Sequence, residues 1–153
     1  MRILKIFCWG LVALLILIQF IPVTKPETLE VNENDLFQDS MIGEEAGSIL
    51  KTSCYDCHSN ETRYPWYSNI APAKWLIIRD VSNGREELNF SNWKSLSIKD
   101  KIKLLDKIAE EVEDSSMPLP IYTLIHRDAT LNEESRKILI DWTEQMMNDL
   151  LGE

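Results

Sequence analysis

Residues 6–23, IFCWGLVALLILIQFIPV, run for eighteen positions without a charged side chain, directly behind Arg2 and Lys5. At helical rise such a run reaches roughly 27 Å, close to the ~30 Å hydrocarbon core of a bilayer. A chain of 153 residues holds about one domain. No acid or base interrupts the run, which argues against a core helix of a soluble domain and sets this segment apart from whatever folds behind it. It ends in Gln19, Phe20, Ile21 and Pro22, with no pair of small residues marking a cleavage site. The spacing therefore predicts an uncleaved signal anchor over residues 1–23. A cleaved signal peptide is the alternative and delivers the same domain to the same side. With the positive charges ahead of the helix, the N-terminus stays in the cytoplasm and the rest crosses. The expected location is the cell inner membrane, single-pass, with the domain facing the periplasm.

All 25 Asp and Glu lie beyond residue 23, and only 14 of the 16 Lys and Arg do, which leaves a formal charge of −11 on the exported part. A surface of that sign repels phosphate backbones, so no nucleic-acid partner is expected. Residues 24–40, TKPETLEVNENDLFQDS, are polar, acidic and aperiodic, and read as a linker. Residues 41–153 read as one all-α domain of about four helices joined by long irregular loops. The first helix runs from Ile42 to about Ser53. The second begins near Pro72, with Gly84 placed as its C-terminal cap. The third is capped by Ser97 with Asp100 and carries Ile98, Ile102, Leu105, Ile108 and Val112 on one face. The last is capped by Thr130 with Glu133, and its Leu131, Ile138, Trp142 and Met146 share a face. Pro118 and Pro120 exclude regular helix between the last two.

Between the first two helices lies CYDCHSNETRYPWYSNI, residues 54–70, with two of the three cysteines and one of the two histidines. C-x-x-C-H is the attachment signature of c-type haem. Two thiols must reach two vinyl groups on one edge of a porphyrin, and the next residue must turn its imidazole under the iron. Cys54 and Cys57 are the expected thioether residues and His58 the proximal iron ligand. An exported domain suits that chemistry. Zinc is one alternative, but it needs four ligands, and His126 alone would have to close the set. A redox dithiol is another, and it requires a strand–helix setting that this chain does not show. No Ser–His–Asp set, phosphate-binding glycine loop or paired-carboxylate site is present, so no enzymatic activity is expected.

Three stretches, CYDCHSNETRYPWYSNIAP, GREELNFSNW and MPLPIYTLIHRDATLNEESRKILIDW, covering most of residues 48–145, resemble the haem-binding-domain family of small bacterial proteins related to class I cytochromes c. The resemblance implies a cytochrome c-like fold whose loops wrap one covalently attached haem c and its iron. One departure is visible: members often carry a histidine before the Gly-Arg pair, and WLIIRDVSNGR has none. Met117, in the proline-stiffened loop before the last helix, matches the place where class I cytochromes c present a distal methionine. It is the expected sixth ligand, with His126 as its rival and a vacant site as the third case. Met41, Met146 and Met147 fit packing roles better. Tyr64, Trp66, Tyr67, Trp75 and Trp93 are expected to cover the porphyrin faces, and Arg85, Arg63 and Trp93 to meet its propionates. The function implied is one-electron transfer, with a redox partner protein that the sequence leaves unidentified. A haem-based ligand sensor, an accessory redox subunit and a zinc-stabilised interaction domain are the alternatives.

Overall fold

The computed structural model describes residues 1–39 and 41–152. The last position of the expected linker, Ser40, and the last of the expected domain, Glu153, lie outside the described residues. Among the described residues there are seven α-helices and no strand, so the chain is all-α, as its periodicity indicates.

Helix α1, Arg2–Leu17, continues through a 3-10 turn at Ile18–Phe20. Residues 2–20 contain an eighteen-residue window of mean hydropathy 2.4, and the segment is long and apolar enough to cross a membrane. None of α1 is buried, so it projects away from the rest of the molecule. Four helices of ten residues or more build the domain: α2 (Glu44–Ser53), α4 (Ala73–Glu87), α5 (Ile98–Glu113) and α7 (Glu133–Leu151). Two single-turn helices, α3 (Tyr55–His58) and α6 (Pro120–Thr123), lie in the connections. The largest helix–helix interface joins α5 to α7, with α2 against α7 and α3 against α4. Leu105 and Val112 of α5 and Leu139, Trp142 and Met146 of α7 bury the facing stripes, joined by Leu50, Tyr55, Phe90 and Trp93. Each fully buried leucine contributes about 1.5–3 kcal/mol by leaving water.

Three local expectations are corrected. The side chain that caps α7 is Asn132, which accepts from the Ser135 N–H at 2.7 Å. Thr130 instead ends the preceding 3-10 turn in an extended conformation. Ser97 does cap α5, accepting from the Asp100 N–H at 3.1 Å. Pro120 does not exclude helix but opens α6, where its missing N–H would be unpaired anyway. Gly84 lies inside α4, three residues before its end, and caps nothing.

The expected linker is also not a free tether. Its residues lie along the domain through hydrogen bonds: Leu29 N–H to Asn60 O at 2.7 Å, Thr28 hydroxyl to Thr62 O at 3.2 Å, and Arg85 Nη1 to Glu27 O at 2.8 Å. Leu36 is fully buried in the core, and so is Asp35. The Asp35 carboxyl accepts from the Phe37 N–H at 2.9 Å, the Tyr55 hydroxyl at 3.0 Å and the Ser91 hydroxyl at 3.3 Å. The sequence boundary at residue 41 thus falls inside packed structure.

Candidate functional site

The Cys54 N–H closes α2 on Leu50 O at 2.9 Å, and φ of −123° at Cys54 then breaks the helix. Its carbonyl receives both the Cys57 N–H, at 3.1 Å, and the His58 N–H, at 2.9 Å. This tight turn brings Cys54, Cys57 and His58 onto one wall of a cavity of about 630 Å³, within the range of cofactor sites. Leu50, Phe90, Leu104, Ile108, Val112 and Leu119 supply apolar lining, and Met117 borders the same cavity.

His58 Nδ1 lies 3.1 Å from the Leu88 carbonyl. A carbonyl only accepts, so Nδ1 carries the hydrogen and Nε2 keeps its lone pair for a metal. This is the orienting bond that histidine ligands characteristically make. Burial lowers the His58 pKa, partly offset by backbone hydrogen bonds, and favours the neutral ligating form. Leu88 follows directly on α4, so the end of α4 orients the imidazole.

Glycine at 84 is required by a close approach. A Cβ there would sit 2.7 Å from Cys57 O and 3.2 Å from Cys57 Cβ. Helix α4 therefore crosses the C-x-x-C-H turn in backbone contact, which no larger residue permits without displacement. Asp56, inside the motif, fastens the turn from the other side. It accepts from the Arg63 N–H and Nε, both at 3.1 Å, and from the Tyr122 hydroxyl of α6 at 2.9 Å. The loop bearing Met117 is thereby linked to the loop bearing the cysteines. Neither role has a sequence signature, because a helical glycine and a loop aspartate are each compatible with simpler explanations.

Several expected contacts are not made. None of Tyr64, Trp66, Tyr67, Trp75 and Trp93 lines the cavity. Trp93 is buried in the helical core, Trp66 is exposed, and the Tyr64 hydroxyl donates to Pro26 O at 2.9 Å. Arg85 is spent on residues 27 and 62, and Arg63 on Asp56. The cations at the cavity are Arg79 and Lys107, paired respectively with Asp80 and Glu87. They were hidden in the sequence because α4 and α5 are studded with charges that mostly face solvent. His126 borders a second cavity of about 230 Å³, with Nε2 at 2.9 Å from the Tyr67 hydroxyl and its ring stacked on Tyr122. It braces loops and does not face the cavity of His58.

Both rival chemistries fare worse in this setting. Among the described residues no group of three or more His, Cys, Asp and Glu is placed to hold a metal ion. A zinc site would need such a group, whereas a porphyrin brings four nitrogens and asks the protein for only one or two donors. Burial, with the neighbouring thiol adding to it, pushes the Cys54 thiol up to about 12. Burial, with Asp56 and Asp80 adding to it, pushes Cys57 up to about 11. Redox dithiols work through lowered pKa values and exposed thiolates, the opposite condition.

A helical domain that gathers C-x-x-C-H, an oriented imidazole and a thioether around one large apolar cavity is of the haem-pocket class. A family model described as the haem-binding domain matches residues 13–145, and the chain belongs to that family. No curated protein sequence and no solved structure matches the chain.

Proposed function

We propose that the chain carries one covalently attached c-type haem and passes single electrons on the periplasmic side of the membrane. The observation that carries this reading is the shared cavity. Cys54, Cys57, His58 and Met117 all line it, and His58 Nδ1 is already committed to the Leu88 carbonyl. In this reading Cys54 and Cys57 would hold the haem as thioethers, each S–H adding across one vinyl group so that no oxidant would be consumed. His58 Nε2 and the Met117 thioether are the two side-chain donors that would hold the iron. The bound haem supplies a ferric–ferrous couple, and a methionine ligand sets its potential above that of a bis-histidine centre. Leu50, Leu104, Ile108 and Val112 would exclude water from the haem, and Arg79 and Lys107 are the cavity cations that would be available to its propionates. With Cys54, Cys57, His58 and Met117 committed to the haem, the role in this reading is that of a carrier, not an enzyme. The apolar N-terminal helix is the tether to the inner membrane.

The test is carbon monoxide binding to the reduced, matured protein. With Met117 on the iron the spectrum is low-spin and insensitive to carbon monoxide, and Met117→Ala makes it high-spin and responsive. A wild-type protein that binds carbon monoxide readily has an open site and belongs with ligand sensors. An unchanged low-spin spectrum in Met117→Ala removes Met117 as ligand.

A further inference from the structure

We infer that the domain rests on the bilayer through an apolar face beside its anchor, formed by Trp66, Ile70, Ile121, Leu124 and Ile125. Beyond residue 31, the large apolar side chains exposed among the described residues fall on these five positions and on Ile98 and Leu151 alone. Trp66 is 77% exposed, Leu124 69% and Ile125 61%. The two segments that carry them are far apart in sequence but joined in space by the Tyr67–His126 hydrogen bond of 2.9 Å. Trp66–Asn69 is a 3-10 turn, and Ile121 to Ile125 span α6 and the residues that follow it.

What covers this face is indicated by where α1 attaches. The Gln19 side chain makes a two-way bond with the Ala71 backbone, accepting from its N–H at 2.8 Å and donating to its carbonyl at 3.1 Å. Lys74 Nζ donates to the carbonyls of Gln19 and Ile21, both at 3.0 Å. The end of the apolar helix is thus fixed next to Ile70, while none of α1 is covered by the domain. A helix that leaves from this point into a bilayer sets the surrounding surface against the lipid headgroups. Tryptophan and branched aliphatic side chains are what that interface accepts. Water-facing apolar side chains would otherwise be an unexplained patch on an acidic domain.

The inference rests on the membrane-anchor reading, and the experiment separates the two. The full chain, carrying its haem and Cys8→Ser, is spin-labelled at Leu124→Cys or Ile125→Cys and reconstituted into phosphatidylcholine vesicles. Glu144→Cys, on α7, serves as reference. Both tested side chains are exposed, so the substitutions leave the fold intact, which circular dichroism verifies. We expect the ratio of relaxation by oxygen to relaxation by a water-soluble nickel chelate to be severalfold higher at 124 and 125 than at 144. Protein that floats with the vesicles while these labels match the reference is anchored but not docked. That result overturns the inference and leaves the face for a protein partner. Protein that does not float overturns the anchor and the inference together.

Discussion

At the scale of single residues, the site is decided by two contacts that fix the C-x-x-C-H turn rather than by the motif alone. Gly84 lets α4 touch the Cys57 backbone, and the Leu88 carbonyl at the end of the same helix aims His58. Gly84→Ala therefore drives a methyl into Cys57 O and should destabilise the domain by about 1–3 kcal/mol, the usual range for overpacking. Haem incorporation should fall with it. Chemical denaturation and haem content per chain measure both, and an unchanged midpoint with full haem would show that α4 can shift freely. The motif itself was legible because it is local: five consecutive residues whose identity and spacing are read directly from the sequence. Gly84 was misread because a glycine that ends a helix and a glycine that admits a neighbour look alike in one dimension. The same limit hid Arg79 and Lys107: which charges on an amphipathic helix face a cavity depends on what packs across from them.

At the scale of elements, the segment ahead of the domain behaves as a strap. Asp35 is buried and joins three donors from three elements, one on its own turn, one on α3 and one in the turn Phe90–Ser95. Asp35→Ala leaves the Tyr55 and Ser91 hydroxyls without this acceptor, and should lower stability by at least about 1–3 kcal/mol. Asp35→Asn keeps one acceptor oxygen and should lose less. Equal and negligible effects of both in urea denaturation would mean that the strap adds nothing to folding. Sequence periodicity found the four long helices because each presents an apolar stripe every three to four residues. The strap has no such stripe. It is held by one buried leucine, Leu36, and by polar contacts to distant residues, which leave no local pattern, so a polar and acidic run reads as linker. The aromatic side chains failed for a related reason. Composition showed rings near the motif, but the helical core claimed Trp93, and loops claimed Tyr64, Trp66 and Tyr67.

At the scale of the whole molecule, an exposed apolar helix and an acidic helical domain are joined at Gln19, Ala71 and Lys74. Protease added to intact spheroplasts should digest the domain while cytoplasmic markers survive. Protection of the domain would reverse the orientation taken from Arg2 and Lys5. All-helical architecture and the separation of helix from domain were readable from hydropathy and periodicity, and the way they meet was not, because single polar side chains, Gln19 and Lys74, make the joint. The central claim is that Cys54 and Cys57 hold haem covalently within the 630 Å³ cavity. It is tested most directly by expressing the chain with a c-type maturation system, recording reduced and oxidised spectra, and staining a denaturing gel for haem. The account predicts sharp reduced bands, and haem that stays on the chain through denaturation and is lost in Cys54→Ser with Cys57→Ser. A folded, exported and colourless chain, or one whose haem departs on denaturation, would contradict it.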